Sequence, residues 1–264
     1  QENVVPPKGL QLERRLRQVA LIAALAVVAY LGLALFGDAS AIRDGLQQLG
    51  PLQWLALLGL SLINYALRFL RWHGYLRALG ARIELGRDLL IYLAGFAFTV
   101  TPGKAGEAVR SVYLKSAGVP WSPGLAALAV ERVLDLTAVV MLAALVLQFF
   151  ADQALLALLV IFGAAGLLVV ITRPRIARRL LAWLPERGRC CQIKDGTLAV
   201  LDNARRLLAP KRLLGGLVLG LFAWGAEAWG FYLLLIWLNV EIAVLQAMGI
   251  YAISMLTGAL SFLP

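Results

Sequence analysis

The chain has a single histidine, His73, and two cysteines, Cys190 and Cys191, among 264 residues. One histidine builds no metal site, and it is read as an interfacial residue at a helix end. Two adjacent cysteines in a basic, cytosolic loop support neither a disulfide framework nor a metal centre. No nucleophile–base pair, phosphate-cradling glycine loop, dinucleotide fingerprint or zinc spacing occurs, so no catalytic residue, metal or cofactor is assigned. Charge is scarce as well. Only 15% of residues are Asp, Glu, Lys or Arg, against 61% hydrophobic. That composition excludes an ordinary soluble globule and a disordered chain. The formal charge of +10 raises the question of nucleic acid. The placement of the basic residues fits the positive-inside rule instead, so no nucleic-acid partner is expected.

What the chain does have is long apolar runs. Val19–Phe36, about Pro51 to Leu70, about Gly124 to Ala151, Gln153–Thr172 and Leu213–Val240 read as membrane spans. The chain opens on Gln1, read as a processed or engineered start. Ala39-Ser40-Ala41 resembles a signal-peptidase site, but a retained first span is preferred because 18 uncharged residues exceed a usual signal core. At the end of the second span, Trp72 and Tyr75 fit an aromatic belt, and Arg68 and Arg71 are expected to snorkel to the interface. Residues 173–212 hold 11 Lys/Arg. Ile176, Leu180, Leu181 and Leu184 suggest one basic amphipathic helix there, and Leu198, Leu201, Leu207 and Leu208 a second. Both are read first as an anchor on anionic lipid.

Thr99-Val100-Thr101-Pro102-Gly103-Lys104-Ala105-Gly106-Glu107-Ala108-Val109-Arg110 breaks this pattern. A helix does not pass smoothly through Pro102-Gly103. In lipid, freed backbone groups are tolerated only inside protein or beside a water-filled cavity. Leu89–Gly103 is 15 uncharged residues, about 22 Å of helix against a hydrocarbon core about 30 Å thick. If this segment turns back, 24 of 25 Lys/Arg lie on the cytosolic side with only Arg43 outside. Length and charge therefore favour a re-entrant hairpin with its tip near Pro102-Gly103, in a multi-pass protein with a cytosolic N-terminus.

A weak echo suggests that this hairpin is one of two. Pro51 and Leu213 open similar spans, and Pro102 and Pro264 follow them at the same distance. Ile91-Tyr92-Leu93-Ala94 resembles Ile250-Tyr251-Ala252-Ile253, with the offset slipping by about three. The two copies would enter from opposite faces, giving an inverted-topology repeat with a site at the repeat interface. The expected fold is all-α, a polytopic membrane helical bundle with re-entrant hairpins. It forms one integral membrane domain over residues 1–264. Repeat 1 covers about 51–151, the cytosolic basic segment 173–212, and the start of repeat 2 about 213–264.

The charges inside the spans are the candidate site. Glu107 and Arg110 share a helix face at i, i+3, and Glu131 and Asp135 share one at i, i+4 with Arg132 beside them. Unpaired, each would be costly at that depth, so Arg110 and Arg132 are expected to pair with Glu107, Glu131 and Asp135. A closed ion-pair cluster and a cradle for an anionic head group both fit. Arginine suits phosphate because its planar fork binds two oxygens. Glu227 stands alone in its span, a candidate gating or proton-coupling acid, with a neutral structural glutamate as the alternative.

Thr101-Pro102-Gly103-Lys104-Ala105-Gly106-Glu107-Ala108-Val109-Arg110, followed by Glu131-Arg132-Val133-Leu134-Asp135, resembles the flippase-like membrane family named after lysylphosphatidylglycerol synthase. Arg71-Trp72 is similar to that family's arginine-rich end of its second span. A further Pro-Gly-Gly motif of the family would begin where this chain stops, at Pro264, so the sequence is read as truncated or partial. The family's soluble aminoacyl-transferase domain is absent from it. The resemblance thus implies an inner-membrane transporter-like protein that binds and flips an anionic phospholipid or isoprenoid-phosphate-linked lipid. Arg110, Arg132 and Lys104 would hold the phosphate, with Pro102, Gly103, Glu107, Glu131 and Asp135 shaping the site. The alternatives are an enzyme, or the membrane partner of an enzyme, in lipid-linked glycosyl transfer, and a structural scaffold. A membrane glycosyltransferase or a second copy of the chain are the candidate protein partners.

Overall fold

The computed structural model describes residues 39–96, 107–144 and 189–260. The expected spans Val19–Phe36 and Gln153–Thr172, the Pro102-Gly103 tip with Lys104, and Pro264 lie outside the described residues. Every described element is a helix: α1 Ala39–Gln48, α2 Pro51–Ala78, α3 Leu85–Phe96, α4 Val109–Ser116, α5 Trp121–Ala144, α6 Arg189–Leu207, α7 Pro210–Trp237 and α8 Val244–Leu260. No strand occurs among the described residues.

Among the described residues, α2 and α7 are the two helices long and apolar enough to cross a membrane. Each has 28 residues and opens on a proline. Proline suits that position because its missing N–H would be unpaired there anyway. At about 1.5 Å per residue each reaches roughly 42 Å, more than a hydrocarbon core. Both end in the same way. After α2, Gly80 adopts φ 86° and Ala81 N–H donates to Leu76 O at 3.0 Å. After α7, Asn239 adopts φ 60° and Val240 N–H donates to Leu235 O at 2.9 Å. Both are left-handed helix stops, for which glycine and asparagine are the favoured residues.

α2 and α7 pack antiparallel along their length. Tyr75 lies at Gly216, Arg71 at Gly220, Asn64 at Ala223, and Leu57 and Leu60 at Gly230. Small residues on α7 let the backbones approach, as is usual where helices meet in membranes. The facing stripe of α2 is polar: Ser61, Asn64, Arg68, Arg71 and Tyr75, at alternating steps of three and four. α5 packs on both helices and α8 covers α5 and α7. One apolar cluster joins Trp72, Tyr92, Leu114, Val130 and Leu134, and a second joins Val139, Leu142, Trp224 and Ala252.

Three expectations from the sequence are corrected. Arg68 and Arg71 do not snorkel outward; they are 6% and 2% exposed and face α5. Trp72 and Tyr75 are buried, not interfacial. Trp72 Nε1 donates to Asp88 Oδ1 at 3.0 Å, and His73 Nδ1 lies 2.6 Å from Asp88 Oδ2, tying α2 to the first turn of α3. Of the basic segment 173–212, the part described as α6 turns its apolar face to the protein. Ala204, Leu207 and Leu208 are buried in the cluster with Ala126, Ala127 and Val130, and Asn203 Nδ2 donates to Ser122 Oγ at 3.2 Å. A helix of this pattern lies on whichever apolar surface is nearest, and here that is the start of α5.

Candidate functional site

Seven charged side chains meet where α2, α4 and α5 converge. Arg68 and Arg71 come from α2, Glu107 and Arg110 from the turn into α4, and Glu131, Arg132 and Asp135 from α5. Arg110 Nη1 donates to Glu131 Oε2 at 3.2 Å, and Arg110 Nη2 lies 3.4 Å from Glu107 Oε2. Arg132 Nη2 lies 3.2 Å from Glu107, 3.7 Å from Glu131 and 3.5 Å from Asp135. Arg68 Nη2 lies 3.3 Å from Asp135 and 3.6 Å from Glu131. Arg71 Nη2 donates to Asp135, and its Nη1 donates to Gly216 O at 3.3 Å. Six of the seven are buried; the side chain of Arg132 alone keeps 29% exposure.

The spacing in α5 makes this possible. Glu131 and Asp135, one turn apart, present both carboxylates to α2, and Arg132 at the flank reaches round toward Glu107. The i, i+3 step from Glu107 to Arg110 puts that pair on the same side. Aromatic rings close the rest. The Arg110 guanidinium lies 4.2 Å from the Tyr92 ring centroid, 4.8 Å from Phe96 and 5.3 Å from Trp72. The Arg68 guanidinium lies 5.4 Å from Trp224 and 5.6 Å from Phe96. Such contacts favour a desolvated cation by about 1–2 kcal/mol. Tyr92 also donates its hydroxyl to Glu131 Oε1 at 3.2 Å.

The cluster is not closed in charge or in hydrogen bonds. Four arginines face three carboxylates. Among the described residues, Nε of Arg68, Arg71, Arg110 and Arg132 has no hydrogen-bond partner, while Nη2 of Arg110 and Arg132 makes ion-pair contacts with Glu107 and Asp135 but no hydrogen bond, as is true of Glu107 Oε2 and Asp135 Oδ2 facing them. Buried donors without partners are costly, and a buried surplus cation more so. One added anion with several acceptor oxygens would settle both.

Of the expected site residues, the structure therefore brings together Arg110, Arg132, Glu107, Glu131 and Asp135. Lys104, Pro102 and Gly103 lie outside the described residues. Glu227 is elsewhere, half-buried on α7, and among the described residues no salt bridge ends on it. The sequence reading missed Arg68, Arg71 and Tyr92. The signal was present: Ser61, Asn64, Arg68 and Arg71 fall on one face of an otherwise apolar helix.

A family model described as Lysylphosphatidylglycerol synthase TM region matches residues 21–264. A protein named Glycosyltransferase AglD, from Haloferax volcanii, is 34% identical over 135 residues, 50% of this chain. The match covers 22% of that relative, so the chain spans under a quarter of the curated relative it matches. No solved structure matches the chain.

Proposed function

The chain belongs to the family of the lysylphosphatidylglycerol synthase transmembrane region, and on that premise we propose that this membrane protein binds and flips an anionic phospholipid or isoprenoid-phosphate-linked lipid. The observation that carries the reading is the arginine cluster, with four buried or half-buried guanidinium groups, three carboxylates and six donor atoms without hydrogen bonds. A phosphate diester supplies one negative charge and acceptor oxygens in the geometry arginine prefers. Arg132, the least buried of the four, meets the head group first. Arg110 waits behind it, positioned by Glu107, Glu131 and its aromatic cage. The same reading assigns Lys104, Pro102 and Gly103, which lie outside the described residues, to the head-group site.

The same proposal takes the chain as a polytopic inner-membrane bundle with a cytosolic N-terminus, a re-entrant α3–α4 hairpin and an inverted repeat. The uncharged run Leu89–Gly103 has 15 residues, about 22 Å of helix, short of a hydrocarbon core. Support for the repeat comes from matched positions. Pro51 and Pro210 open α2 and α7, Gly80 and Asn239 stop them, and Leu85 and Val244 open α3 and α8; each pair is 159 residues apart. The antiparallel packing of α2 and α7 is what opposite entry requires.

The test is reconstitution of the purified full-length protein in liposomes containing labelled phospholipid or isoprenoid phosphate. Transport is expected under at least one imposed gradient, and no movement under any gradient sinks the reading. The topology is tested separately in a variant lacking Cys190 and Cys191. A cysteine placed at the exposed Ser116 should label from the cytosolic side only, and labelling from outside breaks the hairpin.

A second reading draws on the relative named as a glycosyltransferase: this domain is an enzyme, or the membrane partner of one, in lipid-linked glycosyl transfer. Loss of product formation in Arg110→Ala, with transport never detectable, favours it. Wild-type behaviour of both Arg110→Ala and Glu227→Gln would leave a structural scaffold.

A further inference from the structure

α2, α7 and α8 line an open groove of about 490 Å³. On α2 it runs from Leu60 to Leu67, and on α7 from Leu221 to Trp229. No charged side chain lines it, so it has nothing with which to read a head group. Gly225 lies midway along α7's share, with the rings of Phe222 and Trp229 about one turn to either side. A Cβ on Gly225 would meet nothing within 4 Å, so the space over it is open. Phe222 is 68% exposed and Trp229 42%. The groove therefore takes hydrocarbon, and its position says which.

It begins where the arginine cluster ends. On α2 the cluster uses Arg68 and Arg71, and the groove runs from the adjoining Leu67 back to Leu60, about 10 Å of helix. On α7 the arginines reach Gly220 and Trp224, and the groove runs on to Trp229. Because the helices are antiparallel, both shifts point the same way. In the topology proposed above, that is from the cytosolic end toward the mid-plane, the head-to-tail direction of a lipid in that leaflet. Trp224 stands at the join. Its ring lies 5.4 Å from the Arg68 guanidinium, and the next residue, Gly225, lines the groove. Its Nε1 is buried without a hydrogen-bond partner, a costly state for an indole N–H. An acyl ester carbonyl, placed between phosphate and chain, is the acceptor that this donor lacks. An isoprenoid phosphate carries no carbonyl there.

We propose that this groove holds one acyl chain of the anionic phospholipid whose phosphate the arginine cluster binds. This rests on the anionic-lipid reading above and narrows it to an ester-linked phospholipid. Lipid tails are as apolar as the leucines lining the groove, so the groove adds little affinity. The cluster holds the lipid, and the groove fixes where its chain lies.

Quenching by brominated lipid tests this on the full-length protein in nanodiscs of phosphatidylcholine. A small, equal fraction of either phosphatidylglycerol or phosphatidylcholine carries bromine midway along one acyl chain. The emission of Trp229 is the difference between wild type and Trp229→Phe. Brominated phosphatidylglycerol should quench it more than brominated phosphatidylcholine does. That excess should vanish in Gly225→Leu, which fills the open space from a Cβ that meets no protein atom. Lipid retained on transfer from an equal mixture into neutral detergent reads the head-group preference separately. If phosphatidylglycerol is retained preferentially but both brominated lipids quench Trp229 equally, the groove assignment is wrong although the lipid reading stands. An excess that persists in a folded Gly225→Leu also overturns it. So does unlabelled isoprenoid phosphate that restores Trp229 emission better than unlabelled phosphatidylglycerol. If phosphatidylcholine is retained as well as phosphatidylglycerol, the lipid reading itself fails and the groove assignment with it. Comparing the two brominated lipids on the total emission of wild type needs no variant, so a misfolded variant leaves the decision intact.

Discussion

The Asn64 side-chain amide donates to the carbonyl of Ala223 at 2.9 Å, joining two residues 159 positions apart. That separation is also the one between Pro51 and Pro210, between Gly80 and Asn239, and between Arg68 and Glu227. The hydrogen bond therefore sits where α2 and α7 cross, with Arg68 four residues past it on one helix and Glu227 four residues past it on the other. Because the helices run antiparallel, the two charges lie on opposite sides of that bond.

Replacing Asn64 by Leu removes that crossing bond and leaves an apolar side chain of similar size. Interhelical hydrogen bonds in membranes contribute about 0.6 kcal/mol on average and up to about 1.7 kcal/mol. Asn64→Leu should lower stability by about 1 kcal/mol in a micellar unfolding titration. Asn64→Asp should lower it more, because a carboxylate has no N–H to donate and would set its oxygens against the Ala223 carbonyl.

Gly95 backs the Arg110 side chain. A Cβ on Gly95 would fall 2.6 Å from Arg110 Cγ and 2.9 Å from Cδ. Arg110 is caged by Trp72, Tyr92 and Phe96 and has little room to yield. Gly95→Ala should destabilise by about 1–3 kcal/mol, the usual range for overpacking, and weaken anionic-lipid binding. Gly74→Ala is the control, since a Cβ there meets nothing within 4 Å. It should gain up to about 1 kcal/mol from lower backbone entropy in the unfolded chain. Equal melting behaviour of the two variants would contradict the cage.

Asp135 serves three arginines, Arg68, Arg71 and Arg132, whereas Arg132 lies at the edge. Asp135→Asn leaves two fully buried cations short of charge and should destabilise by about 3–5 kcal/mol. Arg132→Ala should cost under about 1 kcal/mol, yet lower affinity for phosphatidylglycerol at least tenfold. Thermal melting and binding measured on the same preparations check the ordering; equal destabilisation by both would mean a purely structural cluster.

Asn239 stops α7 in a left-handed conformation, φ 60°. Asn239→Gly should be tolerated, because glycine adopts that region freely. Asn239→Val should cost about 1–2 kcal/mol or more, because a β-branched residue resists it. Gly80→Val should behave alike, and thermal melts of the three variants decide.

Much of the helical layout is legible from composition and punctuation. The apolar runs around Pro51 and Leu213 are helices, the charged start of the span beginning near Gly124 lies on α5, and Glu131 and Asp135 share a face because one helical turn separates them. The sequence pairs Pro51 with Leu213, 162 residues apart, whereas the helices that open at Pro51 and Pro210 and stop at Gly80 and Asn239 are 159 apart, because Leu/Ala/Gly-rich runs do not mark where a helix begins. Arg68 and Arg71 were misread because an arginine near a span's end reaches water or a partner equally well, and only the position of α5 says which.

The sequence by itself determined that this chain is helical, membrane-bound, and punctuated by charges at 107–110 and 131–135, because burial and helical periodicity are local properties. Only the tertiary structure decided that four arginines face three carboxylates and that α6 turns its apolar face inward. Those facts depend on which helices become neighbours, and neighbourhood between α2, α5 and α7 is set by packing across 159 residues of chain, which no window of sequence contains.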